Sequence, residues 1–105
     1  MSRRSLTEIE AAMAARIGNT DGLHTSSRIP RYVAQRTWFC REAVREGYST
    51  VAVGRYINRD HSTVIAALHR YERECDTWCE LKAIIQRMEE PLPDSYRRFT
   101  TFNPW

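Results

Sequence analysis

Apolar side chains recur at helical spacing through most of this chain, and the breaks fall at glycine, proline or runs of small polar residues. Ile9, Met13 and Ile17 lie at i, i+4 and i+8, one face of a helix with about 3.6 residues per turn. Ser5, with Glu8 three residues on, has the form of a capping box at its start, and Gly18-Asn19 ends it. Residues 19–28, rich in Asn, Thr, Asp, Gly and Ser, read as a loop. A second helix is predicted from Pro30, whose missing N–H is harmless in a first turn, to Glu46, with Gly47 as its left-handed terminator. Its inward stripe is Val33, Thr37, Cys40 and Val44, widened by Phe39 and Ala43. Trp38 joins Phe39 in the expected core, while Arg36, Arg41 and Arg45 fall largely outside it.

The signal is densest between Ser49 and Glu74. Ser49 can cap a short helix, Thr50 to Ile57, with Val53 and Ile57 inward; Asn58-Arg59 then forms a tight turn. Asp60 is placed to cap the next helix, its carboxylate accepting the backbone N–H of Ser62 or Thr63. That helix should reach Glu74, with Val64, Leu68, Tyr71 and Cys75 inward. Ser62, Ala66, His69 and Arg73 form the opposite face, small near the N-terminus and basic toward the C-terminus. Two short helices, a turn of three or four residues and such a face predict a helix-turn-helix over residues 49–74. A last helix is predicted from Thr77 to Glu90, capped by Asp76, with Trp78, Leu81, Ile85 and Met88 inward and Pro91 and Pro93 as stops. The remaining tail carries Tyr96, Phe99, Phe102 and Trp105, an aromatic at every third position. Packing back over the last helix, docking a partner or meeting a second copy are its expected uses, and Arg97 and Arg98 add stacking on single-stranded DNA. No strand pattern appears. The predicted fold class is all-α, a bundle of four or five helices in one domain over residues 1–93, followed by the tail at 94–105.

Composition narrows the function classes. At 105 residues the chain can bury a core without disulfides or a metal, and no run approaches the roughly 18 apolar residues of a membrane span. The basic N-terminus has no apolar stretch behind it, so a secretory signal is not expected and the expected location is cytoplasmic, with the nucleoid. Cys40, Cys75 and Cys79 are an odd number and read as free thiols, buried on helix faces. Cys75 and Cys79 lie one helical turn apart, yet no second Cys or His pair completes a metal box, so no metal or other cofactor is expected. The net charge of +3 conceals an uneven distribution: residues 24–73 hold nine arginines against four acids, and residues 74–105 hold four basic residues against six acids. Fifteen of the sixteen basic residues are arginine, whose planar fork suits phosphate and guanine. A basic middle segment of this kind points to nucleic acid.

The stretch from Tyr48 to Leu68 resembles the C-terminal DNA-binding domain of the bacterial replication initiator DnaA. The family pattern (I/V)G…GRDH(S/T)TV is met by Val53-Gly54 and by Arg59-Asp60-His61-Ser62-Thr63-Val64, and Trp38-Phe39-Cys40-Arg41-Glu42 resembles its Tyr-Leu-x-Arg-Glu. The likeness extends loosely over residues 6 to 90. Here the turn before Arg59 is one residue shorter and lacks the family's second glycine, and the Arg-Gln pair that follows its basic loop is out of register. No GxxxxGK(S/T) motif occurs, so the resemblance implies a DNA reader without the initiator's ATPase. It further implies that Asp60, His61, Ser62 and Thr63 read base edges and phosphate in the major groove. Arg59 stands beside them, and Arg28 or Arg31 takes a minor-groove or backbone role.

The residues support that reading by themselves. A helix start offers free N–H groups and the positive end of a dipole to a phosphate. Short side chains in its first turn reach base edges without bulk, Ala66 adds a small surface one turn on, and Arg73 or Arg55 could reach the backbone. Asp60-His61-Ser62 is not a catalytic triad, because neighbours on a helix point about 100° apart and a triad must converge in space. No enzymatic activity is expected. The expected function is sequence-preferring binding of double-stranded DNA in transcription or replication control. The alternative is a protein-interaction module docking through the last helix and aromatic tail.

Overall fold

A computed structural model describes residues 3–89, so the aromatic tail, including Tyr96, Phe99, Phe102 and Trp105, lies outside the described residues. Five α-helices follow in order: α1 (Leu6–Ile17), α2 (Pro30–Arg45), α3 (Thr50–Ile57), α4 (His61–Glu74) and α5 (Cys79–Glu89). No strand occurs among the described residues, and none of their helices is long and apolar enough to cross a membrane. The all-α expectation and the helix count are met.

Local chemistry accounts for most of the boundaries. Ser5 Oγ accepts the N–H of Glu8 at 3.1 Å while the Glu8 carboxylate accepts the N–H of Ser5 at 2.6 Å, completing the expected capping box. Gly18 (φ 96°) and Gly47 (φ 111°) adopt the left-handed conformation that releases the chain after α1 and α2. Asn58 (φ 59°) does the same after α3, using the asparagine tolerance for this region. Ser49 Oγ caps α3 through the N–H of Ala52 at 3.1 Å.

Helix α2 is the spine of the bundle, and the four other helices and the loop before it all pack against it. Phe39, Trp38, Ala34, Cys40 and Ala43 place its buried face against Ile9 and Met13 of α1, Val53 and Ile57 of α3, Val64 of α4, and Leu81 and Ile84 of α5. Leu68, Tyr71 and Cys75 of the expected α4 stripe are half-buried around that centre, as are Trp78, Ile85 and Met88.

Three expectations need correction. Residues 19–28 are not simply a loop: Asp21–Leu23 make a single 3₁₀ turn and Leu23 is fully buried in the core. The turn is pinned by Gly22, whose N–H donates to the buried Gln35 Oε1 at 2.7 Å; a Cβ there would lie 2.6 Å from both that oxygen and the Tyr32 carbonyl. The last helix opens two residues later than expected. The chain closes a turn at Cys75–Thr77 through Trp78 N–H to Glu74 O at 2.9 Å, so the Asp76 position is spent in the turn rather than at a cap. Among the thiols only Cys40 is buried. Cys75 is half-buried and Cys79 exposed, because α5 turns Leu81 and Ile84 inward instead.

Candidate nucleic-acid interface

Helices α3 and α4, with a short turn between them, form at the expected residues. The turn is tight because α4 starts directly over α3: the Arg59 N–H donates to Gly54 O at 2.7 Å, and a Cβ on Gly54 would lie 2.5 Å from the Arg59 carbonyl oxygen. Only glycine leaves room for that approach. Asp60 has the extended backbone of an N-cap (φ −67°, ψ 151°), and its carbonyl accepts the N–H of Thr63 at 3.0 Å. Its carboxylate, however, caps no N–H. It accepts the Ser62 hydroxyl at 3.4 Å instead, which corrects the capping role expected of that side chain. The first-turn amides of α4 are thus left without a side-chain cap.

Asp60, His61, Ser62, Thr63, Ala66, His69 and Arg73 are all exposed, since burying Val64 on one side of α4 turns the others out. The helix therefore presents a face of small and polar side chains at its start, with Arg73 at its far end beside Glu74 (3.6 Å). His61 and Thr63 are not packed beneath other groups.

Beside this face, between α4, the start of α2 and the loop before it, runs an open groove of about 560 Å³. Arg28, Arg36, Arg59 and Arg70 line it together with Ser26, Thr63 and Ala66, and among the described residues no acidic side chain lines it. Arg36 is the organiser. It donates from Nη1 to Gly22 O at 2.8 Å and Thr25 O at 2.9 Å, and from Nη2 to Ser27 O at 2.9 Å. Arg59 crosses from the turn to donate to the same Thr25 carbonyl at 2.7 Å, tying the loop to the turn between α3 and α4. Burial, then the nearby positive charge of Arg59, pull the pKa of Arg36 downward. Cys40, which also lines the groove, is buried, and burial pushes its thiol up to about 12 despite the charge of Arg36.

Of the residues singled out from the sequence, Arg28, Arg59, Thr63 and Ala66 converge on this groove. Asp60, just before α4, and His61, Ser62 and Arg73 on the exposed part of α4 stand outside it. Arg31 is not in the groove; it stacks over the Tyr32 ring at 4.9 Å. Two groove arginines escaped the sequence reading: Arg36, taken as lying outside the stripe of α2, and Arg70. A signal for Arg70 existed, since it lies seven residues after Thr63 and so on the same side of α4.

Comparison with protein-family models, with curated proteins and with solved structures finds no match to this chain.

Proposed function

We propose that this chain binds double-stranded DNA, with the N-terminal half of α4 in the major groove and the adjoining arginines on the backbone. The observation that carries the reading is the pairing of two surfaces. One is an exposed helix start bearing His61, Ser62, Thr63 and Ala66, and the other is a groove that four arginines, and no carboxylate of the described residues, line. A helix start attracts phosphate through its free amides and dipole, and short polar side chains there can meet base edges. Arg28 takes the backbone or minor-groove role, because it lines the groove, whereas Arg31 is turned onto Tyr32. The likeness of Tyr48–Leu68 to the initiator's DNA-binding domain belongs to the same proposal and assigns the protein to transcription or replication control.

If five or six arginines reach phosphates, log K on duplex DNA falls with log salt at a slope of about −5. Replacing His61 or Thr63 by Ala lowers affinity for a selected site by about 1–3 kcal/mol and relaxes its sequence preference. Fluorescence anisotropy on selected and random duplexes measures both. An equal loss on the two duplexes removes His61 from base reading, and a slope near zero removes the DNA function. Competition with an intact initiator on its own box separates replication control from transcriptional control.

A further inference from the structure

Among the described residues no acid lines the groove, and several arginines outside it are paired with acids. Arg4 is paired with Glu42 and Glu46, Arg45 with Glu42, and Arg73 with Glu74. Among the described residues, Arg28, Arg36, Arg59 and Arg70 form no ion pair, although all four line one cleft. Two of them are held close together: Arg36 and Arg59 donate to a single carbonyl, that of Thr25, at 2.9 and 2.7 Å. Like charges converging on one neutral oxygen repel, and an anion placed between them relieves that repulsion. Donors remain for it. A guanidinium has five N–H groups, and three of those on Arg36 and two on Arg59 are committed to carbonyls. Arg70 has its guanidinium carbon over the Trp78 ring, 5.9 Å from the centroid.

Size and shape select the anion. The groove of about 560 Å³ is open and has room for on the order of twenty waters, too much for one desolvated ion and suited to a hydrated strand. One wall is the small-residue side of α4, Thr63 and Ala66, so the groove is continuous with the proposed base-reading face. We infer that Arg28, Arg36, Arg59 and Arg70 form a seat for the phosphodiester backbone of the strand flanking the bases that α4 contacts. Arg36 and Arg59 set its geometry, and Arg28 and Arg70 supply the outer contacts. The inference rests on the DNA reading above and adds Arg36 and Arg70 to the interface.

The test uses the full chain with Arg28→Gln, Arg70→Gln and their combination, which leave the carbonyl-holding pair intact. Arg45→Gln, beside Glu42 at 3.9 Å and outside the groove, controls for loss of charge alone. Affinity for a random-sequence duplex is measured against salt, with circular dichroism confirming the fold of each variant. Each groove substitution reduces the steepness of the log–log slope by about 0.9 and the pair by about 1.8, while Arg45→Gln leaves it unchanged. Binding with an unaltered slope in both groove variants overturns the seat and leaves DNA binding standing. Failure of the unmodified chain to bind duplex at about 50 mM salt overturns both. Inorganic phosphate at matched ionic strength should compete no better than chloride; saturable competition by it reassigns the groove to a free phosphate and overturns the backbone seat.

Discussion

At Gly54 a single missing Cβ decides how closely the turn before α4 can approach α3. The position is buried in the middle of α3, where alanine would ordinarily gain about 1 kcal/mol of helix propensity. The Arg59 carbonyl, 2.5 Å from where the Cβ would sit, reverses that balance, because a backbone oxygen inside a tight turn has nowhere to move. Gly54→Ala should therefore destabilise the protein by about 1–3 kcal/mol, the usual range for overpacking. Chemical denaturation checks this, and a stabilised variant would show that the turn is looser than described. The glycine was visible in the sequence as part of a motif. Its reason was not, since the atom it avoids is supplied five residues later by the fold.

The loop before α2 shows how an element can be ordered from outside itself. Residues 21–27 contain one 3₁₀ turn and little apolar surface beyond Leu23, so their conformation depends on what they dock against. Arg36 provides three hydrogen bonds to loop carbonyls, and Gln35 anchors Gly22 N–H. Arg36→Met keeps much of the aliphatic stem and removes the donors. It should raise amide exchange at Leu23 and His24, whose N–H groups close the 3₁₀ turn, by on the order of 10–100-fold, equivalent to about 1.5–3 kcal/mol for bonds to a charged donor. Protection unchanged from the native chain would mean that the buried Leu23 alone holds the loop. Here the sequence reading was least complete, since the polar composition of residues 19–28 is that of a loop and the arginine that shapes it lies in the next helix.

Over the whole molecule, Glu10 joins parts distant in sequence. Its carboxylate accepts Thr20 Oγ1 at 2.7 Å and Tyr56 OH at 2.6 Å, and His24 Nε2 lies 2.8 Å from it, linking α1, the loop and α3. Burial pushes its pKa upward, but the hydrogen bonds from Tyr56, Thr20 and His24 outweigh burial and leave it below the ordinary carboxylate value of 4.5. A carboxylate with a depressed folded pKa stabilises the protein fully above its unfolded value and loses that contribution as pH falls through the folded one. The stability gap between the native chain and Glu10→Gln should thus be widest near neutrality and shrink as pH drops below 4.5. Urea midpoints at several pH values report it; a gap independent of pH would remove Glu10 from the link.

What the chain determines unaided is whatever its neighbours within four residues can enforce. Ser5 with Glu8, Pro30, Ser49, and the glycines at 18 and 47 place helix ends through hydrogen bonds and dihedral preferences that act locally. The period of apolar side chains likewise turns His61, Ser62, Thr63 and Ala66 outward before any tertiary contact is considered. The tertiary structure alone decides which arginines share a groove, because Arg28, Arg36, Arg59 and Arg70 come from the loop, α2, the turn and α4. Their convergence depends on helix packing and on one carbonyl, that of Thr25, serving two of them. Charge along a sequence has no direction; only packing gives it one.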